Sequence, residues 1–109
     1  MKVLRSFNFL EEGERESFLL YAYDNKDIQK IFLVRISTEK TEFLCGIIPR
    51  EVISMQDRNG FIEMISVLPV CDYDSGEMIT EIEISEIKKI KILQPTRIKE
   101  EEGCECRVR

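Results

Sequence analysis

The chain has 109 residues, a net charge of −5 and no histidine. That length suits one domain with a core large enough to fold without a metal or a disulfide. The missing histidine excludes Ser-His-Asp and Cys-His nucleophilic systems and any metal site built on imidazole, and the acidic balance opposes polyanion binding.

Composition tilts the class toward β. Isoleucine is heavily used, and Ala22 is the only alanine. Isoleucine favours strands, whereas alanine is the best helix former.

In chain order, residues 2–9 read as a first strand, closed by Glu11-Glu12-Gly13-Glu14. Residues 16–23 are apolar on both faces and predict a central, doubly covered strand. The turn cluster 24–27 leads to a strand over 30–36, and the hairpin loop 37–40 to another over 41–48. Pro49 then marks an edge or a boundary. Residues 49–55 have two readings. One is a short helix with Pro49 at its first position. The favoured one is a hairpin over 52–67 about Asn59-Gly60, in a type I′ turn that pairs Arg58 with Phe61, Met55 with Met64 and Ile53 with Ser66. Pro69 ends or bends its second strand.

Residues 71–77 predict a loop and 78–84 a strand. The spacing of three from Ile84 to Ile87 to Ile90, between alternating stretches, predicts a 3₁₀ turn joining two strands. The rival is one amphipathic helix over 81–93, opposed by its many isoleucines. Small SH3-like barrels use such a turn between their last strands, so the arrangement is similar to theirs in fold alone. The expected architecture is all-β: a small antiparallel meander forming a barrel or sandwich, SH3-like barrel included, with at most a short helical turn. Residues 1–96 form its single domain and 97–109 a charged, mobile tail.

Four constellations could carry chemistry. Cys104-Glu105-Cys106 lacks the second knuckle of a thiolate zinc site, so it reads as a solvated tail, and no metal is expected. Asp72-Tyr73-Asp74-Ser75-Gly76-Glu77, with Glu83, begins like a calcium loop but places its glycine one position early. Lys88, Lys89, Lys91, Arg97 and Lys99 are the densest basic patch. Beside Phe7, Phe9, Tyr21 or Tyr23 they could track a nucleic-acid backbone, against the reading of a solvated strand edge. Glu11, Glu12, Glu14, Glu16 and Glu100 to Glu102 would suit a basic partner, or simple solubility.

By elimination the expected function is a non-enzymatic binding module without cofactor, with a protein partner, of accessory or inhibitor type. A homodimer is the leading form of partner. The alternative is a small barrel that binds nucleic acid or a nucleotide through Lys88 to Lys91. Lys88, Lys89, Lys91, Arg97, Tyr21 and Tyr23 are the candidate binding residues. No apolar run is long enough to span a membrane, and Glu11 and Glu12 interrupt any leader-like core, so a cytoplasmic protein is expected.

Overall fold

A computed structural model describes residues 2–71 and 75–94. The chain runs β1 (Lys2–Asn8), α1 (Glu14–Asp24), β2 (Phe32–Thr38), β3 (Glu42–Ile47), α2 (Pro49–Ser54), β4 (Met64–Cys71), β5 (Met78–Glu83), a 3₁₀ turn (Ile84–Glu86) and β6 (Ile87–Gln94). It is mostly β, in two antiparallel sheets. One has the order β1-β6-β2-β3, and the other pairs β4 with β5. No strand pairing joins the two sheets among the described residues. The order corrects the simple meander, because the last strand inserts between the first two.

Two helices correct the expectation of a single helical turn. The stretch 16–23 is the body of α1, not a central strand. Glu14 and Glu16 lie in its first turn, where carboxylates complement the unpaired N–H groups. The Glu14 carboxylate accepts the Asn8 N–H at 3.1 Å, tying the helix start to β1. Phe18 and Ala22, one turn apart, are its buried residues. Asn25 ends it, its side-chain Nδ2 donating to the Tyr21 carbonyl at 2.7 Å.

α2 realises the helical reading of 49–55, with Pro49 in its first turn. The 52–67 hairpin therefore does not form. A tight turn still sits at Asn59-Gly60. The Gly60 N–H donates to the Asp57 carbonyl (3.0 Å), and the Asp57 N–H to the Phe61 carbonyl (2.8 Å). Gly60 has φ 86° while Asn59 stays at negative φ, so the turn is not type I′. It connects α2 to β4 rather than two strands.

The later elements follow the pattern of the sequence. β4 runs through Pro69 to Cys71, with its register against β5 broken between Ser66 and Val70, the bend expected of that proline. The 3₁₀ turn lies between β5 and β6, and the Ile84 N–H donates to the Glu63 carbonyl at 2.8 Å.

One face of the larger sheet supplies the core. Register places Phe7 beside Ile90, Ile90 beside Ile36, Ile92 beside Val34 and Val34 beside Cys45. All six are buried. Helix α1 covers the β1 end of this face. The Phe18 ring meets Phe7 edge-on at 5.5 Å and Phe9 at 5.8 Å, the geometry aromatic quadrupoles favour. Ile65, Val67 and Ile82 join the same cluster from the smaller sheet, and Ile84 from the 3₁₀ turn. Among the described residues no polar or charged side chain is buried.

Candidate binding surface

The two kinds of candidate residue separate onto opposite faces of the larger sheet. Lys89 and Lys91 alternate with buried Ile90 and Ile92, so they point away from the core. Across the strands Lys91 stands between Ser6 and Arg35, and Lys89 between Asn8 and Ser37. Glu42 tempers this basic face: its carboxylate lies 3.8 Å from Arg35 and accepts a 3.1 Å bond from the Ser37 hydroxyl. Lys88 pairs with Glu39 of the β2–β3 loop at 3.5 Å. Tyr21 lies on the core side. Its ring packs on Phe7 (5.7 Å) and Phe32 (6.2 Å), under the Arg5 guanidinium at 5.3 Å. Phe7 and Phe9 are buried and offer no stacking face. Phe9 adjoins Lys88 through the backbone, its N–H donating to the Lys88 carbonyl at 2.8 Å, but its ring is buried, and the rings of Phe7 and Tyr21 lie on the face opposite Lys89 and Lys91. Arg97, Lys99, the Cys104–Cys106 pair and the Glu100 to Glu102 run lie outside the described residues, as does the Asp72-Tyr73-Asp74 start of the calcium-like loop.

Tyr23 behaves differently. It is exposed on α1, and the Lys26 ammonium sits 4.4 Å over its ring. Lys26 in turn lines a groove of about 360 Å³, where the α1–β2 connection meets the start of α2. Ile28, Ile31 and Ile48 give it apolar walls, and Lys26, Lys30 and Arg50 face one carboxylate, Glu51. Lys26 lies 3.7 Å from Asp27. Neither Lys30 nor Arg50 forms an ion pair among the described residues. Leu20, Tyr23, Ile28 and Ile31 are exposed over this short stretch of chain, at 61, 52, 42 and 60%. Single exposed apolar residues are ordinary, but four so close together mark a surface that another molecule could cover.

This groove was hidden from sequence reading, because it needs residues 26–31 and 48–51 side by side. The one signal available was the interleaving of Ile28 and Ile31 with Lys26 and Lys30, where the turn cluster 24–27 runs into the strand read over 30–36.

A second cleft, of about 600 Å³, lies between the β2–β3 hairpin and β5. Phe43, Met64 and Ile79 are its half-buried apolar walls, and Glu81, Glu83 and Glu86 stand at its margin.

Among the described residues no three Cys, Asp or Glu side chains, Glu81, Glu83 and Glu86 included, are placed to hold one metal ion. Cys45 is buried, and loss of solvent pushes its thiol from the ordinary 9.0 up to about 11, which suppresses the reactive thiolate. Cys71 is exposed and free. No helix among the described residues is long and apolar enough to cross a membrane. Comparison with protein-family models, with curated proteins and with solved structures finds no match to this chain.

Proposed function

We propose that this protein is a non-enzymatic binding module whose partner is another protein. The observation that carries the reading is the exposed apolar set Tyr23, Ile28 and Ile31 along the groove that Ile48 and Arg50 also line. Burying such side chains against a partner removes apolar area from water at roughly 25 cal/mol per Å². Tyrosine, isoleucine and arginine around a concavity supply anchors of the kind that dominate interfaces. An SH3-like barrel is the matching fold proposal. It is supported by the run β6-β2-β3 followed by β4-β5, with the 3₁₀ turn leading into β6.

The test is quantitative affinity capture from native lysate with the wild-type chain and with a Tyr23→Ala, Ile28→Asp variant. A protein retained saturably by the wild type and lost by the variant supports the reading. Equal retention by both, or no saturable partner, overturns it.

A second reading rests on Lys89 and Lys91, which share a sheet face with Arg35. That face would bind nucleic acid or nucleotide phosphates through charge, without base stacking. Phosphate binding weakens steeply with salt, and Lys89→Glu with Lys91→Glu would abolish it.

A further inference from the structure

We infer that the groove between the α1–β2 connection and α2 binds an acidic segment of the partner protein, one that carries apolar residues among its carboxylates. This rests on the protein-binding reading and adds the chemistry of the partner. The argument is charge complementarity. The whole chain is acidic, at −5. The groove inverts that sign locally, with Lys26, Lys30 and Arg50 against Glu51. Lys30 and Arg50 are exposed and have no carboxylate partner within ion-pair distance among the described residues. Their charges are therefore open to an incoming anion. Arg50 adds geometry, because a guanidinium grips a carboxylate through two parallel N–H groups. Ile28, Ile31 and Ile48 make the groove a poor seat for a fully polar chain. Apolar side chains between the acids would cover them and exclude water from the ion pairs, which strengthens those pairs. The net negative charge of the chain disfavours an acidic segment elsewhere, and on the other basic face Glu42 already engages Arg35 and Ser37. That sign inversion gives orientation and selectivity more than raw affinity.

The experiment uses the full chain and three labelled synthetic peptides. One repeats Glu-Leu-Ser, one Lys-Leu-Ser and one Glu-Ser-Ser. Binding is read by fluorescence anisotropy and by amide NMR shifts. The Glu-Leu-Ser peptide is expected to bind, to shift the amides of Lys26, Ile28, Lys30, Ile31 and Arg50, and to weaken about ten-fold on raising salt to about 0.5 M. Lys30→Glu with Arg50→Glu should weaken it by at least about ten-fold. Lys89→Glu with Lys91→Glu changes net charge equally at residues that do not line the groove and should leave it within about two-fold.

Equal weakening by both double variants would overturn the proposal, as would tighter binding of the Lys-Leu-Ser peptide or shifts confined to other faces. Equal binding of Glu-Ser-Ser would also overturn it, by removing the apolar requirement. Binding that appears only after Glu100, Glu101 and Glu102 are changed to Gln would assign the groove to the chain's own acidic run instead. The broader reading is distinguished separately. If a captured partner is lost with Ile28→Asp but kept with Lys30→Glu and Arg50→Glu, a protein partner stands and its acidic chemistry falls.

Discussion

A Cβ on Gly46 would lie 2.6 Å from Cγ2 of Ile31, closer than real side chains approach. Gly46 sits on the outward face of β3, at the register position of Leu33, and Ile31 folds over it into the wall of the cationic groove. The same virtual atom would lie 2.9 Å from Leu68 Cδ1. Glycine is needed there for close approach. Gly46→Ala is expected to destabilise the protein by about 1–3 kcal/mol through overpacking, because Ile31 is β-branched and stiff. It should also displace Ile31, so amide shifts along residues 28–31 should accompany a lower denaturation midpoint. An unchanged midpoint would mean that Ile31 swings away freely.

Phe18 anchors α1 to β1. It is fully buried and meets both Phe7 and Phe9. Phe18→Ala should cost about 3–5 kcal/mol, whereas Leu20→Ala, on the opposite side of the helix and exposed, should stay within about 0.5 kcal/mol. Denaturant titration of both variants checks the contrast. Similar losses would mean that the strand reading of this stretch, with both faces covered, was nearer the truth.

The turn at residues 57–60 rests on one carboxylate and one glycine. Asp57 Oδ1 accepts the Asn59 N–H at 2.8 Å and the Phe61 N–H at 2.9 Å. Asp57→Ala is expected to cost about 1 kcal/mol. Gly60→Val should cost about 1 kcal/mol or more, since a β-branched residue resists the φ of 86°. Asn59→Ala should be close to neutral, because its φ is ordinary. Equilibrium urea unfolding, read as midpoints at constant slope, distinguishes the three.

Cys45 sets a limit at high pH. Its folded-state pKa is raised, so the unfolded thiol ionises first as pH climbs past 9.0, while the folded thiol holds its proton to about 11. The native state then binds more protons than the unfolded one. Stability is full below the lower value and falls as pH rises through the window to about 11. Cys45→Ser removes this dependence. Alkylation at neutral pH, mapped by mass spectrometry, should modify exposed Cys71 and spare Cys45 until denaturant is added.

How much of this was legible depended on whether a residue pattern had a period. Ile84, Ile87 and Ile90 changed spacing where the backbone changes conformation, so the 3₁₀ turn could be read directly. Residues 18–23 are apolar almost without a break and carry no period. Strand and helix fit them equally until Phe7 and Phe9 select Phe18 for burial. Ala22 itself, with Glu14 and Glu16 ahead of it, was the local evidence for a helix. At 49–55, Pro49 suited both a boundary and a helix start, and the Asn59-Gly60 signal drew its flanks into a hairpin although the turn needs no strands. Among candidate site residues, Tyr23 lies at the apolar stretch, while Tyr21 and the lysines of β6 are divided by the sheet. Linear proximity of charges could not show on which side each would lie.

The central place of β6 carries a consequence for how the chain assembles. β1 and β2 do not bond to each other; each bonds to β6, which comes last. During synthesis β1 and the β2–β3 hairpin wait, unjoined, while the intervening residues are added. Contacts between strands so far apart in sequence close late and slowly. Until then Phe7 and Val34 have no Ile90 and Ile92 beside them, and the half-made sheet shows its apolar face to the crowded cell. A pause in synthesis just before β6 emerges would prolong that exposure.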